Sequence, residues 1–73
     1  MSRLPQLRGD EVVAALKRAG WAVRGQRGSH VVLVRAGSIY SLSVPLHDRV
    51  GRGLLHDLIR KAGLSDDEFL ELL

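Results

Sequence analysis

The segment His30–Val31–Val32–Leu33–Val34 constrains this chain more than any other. Its four consecutive apolar residues, three of them β-branched, are bounded by polar turn formers. Such a run favours a pleated strand and is too short for a helix. A strand that is apolar on both sides of its pleat reads as central. It needs a neighbour along each edge and cover over at least one face, because a small bare sheet is not stable alone. With 73 residues, all of that must come from one domain, residues 1–73.

The flanking segments supply the parts. Upstream, Gly9–Asp10–Glu11 announces a helix, with acids where the helix dipole favours them. Val12, Val13, Leu16 and Ala19 then recur at helical spacing, Lys17 and Arg18 fall in the last turn, and Gly20 stops the helix. From Trp21 the period changes. Trp21–Ala22–Val23–Arg24 reads as a short strand, and Gly25–Gln26–Arg27–Gly28 as turn material. After the central strand, Ala36–Gly37–Ser38 reads as a hairpin turn. Ile39–Val44 then alternates, with Ser41 and Ser43 on its polar face, until Pro45 ends it. Leu46–Gly53 reads as a polar loop. Leu54, Leu55, Leu58, Ile59 and Ala62 form a second amphipathic helix closed by Gly63. Ser65 with Glu68 has capping-box spacing and opens a short third helix through Phe69, Leu70, Leu72 and Leu73.

Three consecutive strands joined by short turns imply an antiparallel meander, covered by the helices that flank it in sequence. The expected fold is α+β: a two-layer sandwich in α-β-β-β-α order, with a three-stranded antiparallel sheet and the helices on one face. The double-stranded-RNA-binding domain has this order, although a shared fold does not by itself assign a function.

Charge narrows the partners. The net charge is +3, but no acidic residue lies between Glu11 and Asp48, a stretch that carries Lys17, Arg18, Arg24, Arg27 and Arg35. Four of the eight acids, Asp66, Asp67, Glu68 and Glu71, lie in the last ten residues. The rest of the chain has eleven basic residues against four acids, a net of +7. Nine of the eleven basic residues are arginine, whose planar fork suits phosphate. This balance points to a polyanion, most simply nucleic acid; a solvated basic face is the alternative. The acidic tail reads as an ordinary charged helix face, as a shield for the basic body or as a contact for a protein partner. With no cysteine there is no disulfide, no thiol nucleophile and no thiolate zinc site. No apolar run reaches the length of a signal peptide or a membrane span, so the expected location is cytoplasmic, without membrane contact.

Histidine is the side chain whose charge changes near neutrality, and there are three. His56 reads as a solvated helix residue. His47, just after Pro45, is either an idle loop residue or a second proton-transfer group. His30 follows Arg27–Gly28–Ser29. The glycine there lets a backbone approach a ligand, and the arginine, the hydroxyl and the turn amides offer donors to a phosphate. A histidine beside phosphate donors is a minimal kit for metal-free RNA cleavage; a histidine at a sheet rim is the structural alternative. The separations among the three histidines, 17 and 9 residues, match no compact metal motif, so neither a metal nor a cofactor is expected. No nucleotide-binding or serine-hydrolase motif is present either.

Taken in order, several blocks resemble the HicA toxin family. They are Leu4–Pro5, Gly9 with Glu11–Val12, Leu16 with Ala19–Gly20–Trp21, and Gln26–Arg27–Gly28–Ser29–His30. Val44–Pro45–Leu46–His47, Gly53 with Leu55, Leu58–Ile59 with Ala62–Gly63–Leu64, and Glu68–Phe69 continue the series. The resemblance spans nearly the whole chain and implies a single HicA-like toxin domain with a fold like the double-stranded-RNA-binding domain. It implies a ribonuclease that cuts mRNA, and a HicB-type antitoxin that covers the active site. By the same resemblance His30 is the catalytic histidine and His47 a candidate second acid or base. The RNA-binding residues, drawn from the residues and the resemblance together, are Arg24, Arg27, Gly28, Ser29, Arg35 and Arg52. One block departs from the family pattern: Arg52–Gly53–Leu54 stands where a lysine-glycine-threonine sequence is usual. The positive charge is kept and a hydroxyl is lost. Two alternatives to a toxin ribonuclease share the basic face: a non-catalytic RNA-binding module of the same shape, and a small domain that meets an acidic protein.

Overall fold

A computed structural model describes residues 4–73; Met1, Ser2 and Arg3, part of the single-domain expectation, lie outside the described residues. The elements in order are β1 (Leu7–Arg8), α1 (Gly9–Arg18), β2 (Ala22–Arg27), β3 (His30–Val34), β4 (Leu42–Pro45), β5 (Arg49–Val50), α2 (Arg52–Lys61) and α3 (Asp66–Glu71). β2, β3 and β4 form an antiparallel sheet with β3 in the centre, as the valine run requires. The α+β layout with three meandering strands between helices is therefore the observed one.

Alternation along the strands decides which face is covered. Val31 and Leu33 of β3 and Leu42 and Val44 of β4 are buried, while Ser43 is exposed. The buried face packs against Val12, Ala15 and Leu16 of α1, Leu55, Leu58 and Ile59 of α2, and Phe69 of α3 in one apolar cluster. Each fully buried Leu, Val or Phe contributes roughly 1.5–3 kcal/mol relative to exposure. No described polar or charged residue is buried. The opposite face of the sheet, with His30 and Ser43, stays open.

Three expectations about boundaries need correction. First, β2 continues through Gly25–Gln26–Arg27, the residues read as a turn. A β-bulge between Val23 and Gly25 absorbs Arg24 as an extra residue, and the ladder resumes with Gly25↔Val32, Gln26↔Val31 and Arg27↔His30. The turn shrinks to Gly28–Ser29. Gly28 has a φ of 56°, which a glycine at the first central position of a tight hairpin accommodates. Second, β4 begins at Leu42 rather than Ile39. The last rung is Leu33↔Leu42. Beyond it Ile39 is 92% exposed, and Tyr40 turns toward Lys61, whose ammonium lies 6.0 Å from the ring centroid. Third, the polar loop contains β5, which pairs with β1 through Leu7↔Val50 and Arg8↔Arg49. Val50 and Leu7 are both buried, so a two-residue ribbon brings both into the core without leaving their backbone unpaired.

The helix ends follow the sequence closely. At the start of α1, Glu11 Oε1 accepts from the Arg8 backbone N–H at 3.0 Å. At α3, Ser65 Oγ accepts from the Glu68 N–H at 3.1 Å and Glu68 Oε1 accepts from the Ser65 N–H at 2.9 Å, the expected capping box. Asp66, Asp67 and Glu68 all lie in the first turn of α3, where the dipole favours acids.

Candidate active site on the open face of the sheet

The β2–β3 hairpin builds the site. Arg27 and His30 are direct cross-strand partners on either side of Gly28–Ser29. Gln26 Nε2 donates to the Gly28 carbonyl at 2.9 Å and braces the turn. His30 is exposed, and alternation from the buried Val31 and Leu33 puts it on the open face. On its other side His30 opposes Pro45 of β4.

A groove of about 540 Å³ runs along the open face from this hairpin, lined by Arg24, Gly25, Gln26, Arg27, Val32, Ser41 and Ser43. It contains no acid. Among the described residues neither the Arg24 nor the Arg27 guanidinium has a hydrogen-bond or ion-pair partner. The groove thus offers unneutralised forked cations and two hydroxyls, a donor set suited to a phosphodiester chain. The bulge matters here: it adds one residue to the edge strand and brings Arg24 to the groove together with Gly25.

The Leu46 N–H donates to the Ser29 carbonyl at 2.6 Å, so the chain carrying His47 runs on beside the hairpin turn after β4 ends. His47 is exposed. The same junction receives α1. The Gly9 N–H donates to the Asp48 carbonyl at 3.1 Å, and a Cβ on Gly9 would overlap the Pro45 carbonyl oxygen. Only glycine lets the first turn of α1 lie against the end of β4. Arg8 and Arg49 meet across the β1–β5 ribbon nearby, Arg8 Nε 3.6 Å from Asp10 Oδ1 and Arg49 Nη1 2.8 Å from Gln6 Oε1.

The expected site residues therefore divide. Arg24, Arg27, Gly28, Ser29 and His30 come together on one hairpin, with the His47 segment hydrogen-bonded alongside. Arg52 stands on the exposed first turn of α2 and takes no part in the groove. Arg35 follows the far end of β3 and lines a different hollow, with Trp21, Tyr40 and Arg60. His56 is exposed on α2 with Nδ1 3.6 Å from Asp66 Oδ1, a surface pair when protonated. The sequence alternation marks Ser41 and Ser43 only as a polar face. Ser43 reaches the groove through its pairing with Val32 of β3, and Ser41 lies just before the first rung of that ladder, a register the sequence leaves open. Among the described residues no three His, Asp or Glu side chains are placed to hold a metal ion, and no helix is long and apolar enough to cross a membrane.

A three-stranded sheet covered by helices on one face, with a basic groove and an exposed histidine on the other, defines a small α+β protein of the double-stranded-RNA-binding-domain layout. Residues 9–64 match the family model for the HicA toxin of bacterial toxin–antitoxin systems, and the chain belongs to that family. The matched span holds all of α1, the sheet and α2. Membership makes the protein an RNase toxin in general class, with a HicB-type antitoxin as its partner. No curated protein matches the chain.

Proposed function

We propose that this toxin is a metal-independent endoribonuclease, an mRNA interferase, with His30 as its general base. The observation that carries the reading is the pairing of Arg27 with His30 across the Gly28–Ser29 turn, at the end of a groove free of acids.

The chemistry needs only side chains and the substrate. The His30 imidazole removes the proton from a ribose 2′-hydroxyl, and the 2′-oxygen attacks the adjacent phosphorus. The bond from phosphorus to the 5′-oxygen breaks. That oxygen takes up a proton, for which His47 is the candidate donor. The products are a 2′,3′-cyclic phosphate and a 5′-hydroxyl. Arg27, Arg24 and the amides of Gly28 and Ser29 stabilise charge on the five-coordinate phosphorus, and Ser41 and Ser43 hold the strand beyond it. Arg52, on the exposed first turn of α2, engages RNA outside the groove. Cleaved mRNA stops translation and growth in the cytoplasm, and the antitoxin restrains the enzyme by covering this face.

The test is His30→Ala on a single-stranded RNA substrate. Because His30 is exposed, the fold should be retained while the rate falls by about 10²–10⁴. Cleavage at the wild-type rate would overturn the assignment. Activity abolished by a chelator and restored by one metal would overturn the metal-independent mechanism. RNA binding without any cleavage by the wild-type chain would assign a binding module instead.

A further inference from the structure

The end of the sheet opposite His30 carries a second hollow that the cleavage reading leaves unused. It measures about 480 Å³ and lies between Trp21, the β3–β4 connection and the last turn of α2. Three independent features meet there.

The first is charge. Arg35 and Arg60 line the hollow, and among the described residues neither guanidinium has a hydrogen-bond or ion-pair partner. No acid lines it. The second is an apolar lip. Ile39 is 92% exposed beside the half-exposed Tyr40, whose ring Lys61 approaches at 6.0 Å. The third is Trp21, 3% exposed, whose Nε1 is the one buried side-chain nitrogen or oxygen among the described residues without a hydrogen-bond partner. Buried donors are nearly always matched by an acceptor.

We infer that this hollow docks an acidic segment of the protein partner, the HicB-type antitoxin, with an aliphatic side chain covering Ile39. Carboxylates fit the two free guanidinium forks. An aliphatic partner gains by covering Ile39, which offers nothing to phosphate or sugar. The Tyr40 ring is already engaged by an ammonium, which leaves it a poor platform for a base. Trp21 lines the hollow, so its indole reports on what docks there. The span of β3, five residues at about 3.3 Å each, separates this hollow from His30 by roughly 16 Å. The antitoxin would thus hold a second anchor away from the groove. The inference rests on the family's protein partner and not on the ribonuclease reading.

The test is the double variant Ile39→Ser/Arg60→Glu, with Ile39→Ser alone as a milder companion; both side chains are exposed and neither lies in the proposed cleavage site. Calorimetric titration with the HicB-type antitoxin should show affinity lowered at least about tenfold, an effect of the size that a loss of anchor contacts produces. Affinity for a single-stranded RNA oligonucleotide, and the cleavage rate of any wild-type activity, should change by less than about twofold. Trp21 is the chain's only tryptophan, so its indole N–H gives one cross-peak in a ¹⁵N–¹H spectrum. That peak should shift with the antitoxin and not with RNA. Antitoxin affinity within twofold of wild type for both variants, or an unmoved indole peak at saturation, overturns the inference. RNA affinity that falls while antitoxin affinity holds assigns the hollow to nucleic acid and also overturns it. A wild-type chain that fails to cleave RNA would refute the ribonuclease reading and leave this titration intact.

Discussion

Replacing Gly9 by alanine sets helix propensity against sterics at the junction that holds β4. In an open helix, alanine is favoured over glycine by up to about 1 kcal/mol. Here the added Cβ would overlap the Pro45 carbonyl oxygen and lie 2.7 Å from the Pro45 carbonyl carbon and 2.8 Å from Leu46 Cα. All three are backbone atoms, so no side chain can swing aside. Restoring ordinary carbon contact distances requires α1 and the end of β4 to part by roughly 1 Å. Overpacking of this kind costs roughly 1–3 kcal/mol. The same movement stretches the 3.1 Å bond from the Gly9 N–H to the Asp48 carbonyl, worth roughly 0.5–1.5 kcal/mol. After the propensity gain is subtracted, the net destabilisation is about 2 kcal/mol. In a domain of this size that lowers the melting temperature by about 8–16 °C. Gly53→Ala is the matched control: it is also helical, with nothing within 4 Å of the added Cβ, and should stabilise by about 0.5–1 kcal/mol. Thermal denaturation followed by circular dichroism reads both. A Gly9→Ala chain that melts at or above wild type, as Gly53→Ala should, would refute the packing argument.

Two further outcomes follow from the geometry. Glu68 has its carboxyl held below the usual range by the Ser65 backbone N–H first and the Ser65 hydroxyl second. Stability from this interaction is therefore full above the ordinary carboxylate pKa and is lost as pH falls through the lowered folded value. Ser65→Ala should cost about 1 kcal/mol at neutral pH by removing the cap, and acid titrations of stability should then be flatter than wild type; an unchanged acid limb would contradict this. On the open face, Arg27→Ala should weaken RNA binding and reduce the slope of log affinity against log salt by about 0.7, the share of one phosphate on a single strand. A slope identical to wild type would remove Arg27 from the backbone contacts.

The order of elements was legible because the hydrophobic period changes sharply at Gly20 and again after Pro45, and the valine run admits only a central strand. What escaped the reading was set by pairing. Gly25–Gln26–Arg27 has turn composition, yet β3 offers a free edge, and one bulge at Arg24 lets the strand continue to His30. Ile39 fits a strand pattern, but the ladder stops at Leu33↔Leu42 and leaves it in solvent. The β1–β5 ribbon is two residues a side, too short to leave a periodic signature. At the site, Arg27, Gly28, Ser29 and His30 are adjacent in sequence and were readable together. Arg35 and Arg52 share their charge but not their place, because strand and helix geometry carry them to other surfaces. The two groove serines needed a register that only the folded sheet supplies.

The edge strand β2 has a consequence for handling and for evolution alike. All six of its residues are exposed, and among the described residues one side of its backbone has no strand partner. An edge of this kind is a template on which another copy can extend the sheet into an aggregate. The bulge at Arg24 distorts the edge, and the charges of Arg24 and Arg27 make an incoming identical strand repel its host. The two arginines assigned to RNA thus also act as gatekeepers against self-association. Variants that remove both to disarm the toxin should lose solubility along with activity. A disarmed chain that stays soluble is better sought at His30, which leaves that protection in place.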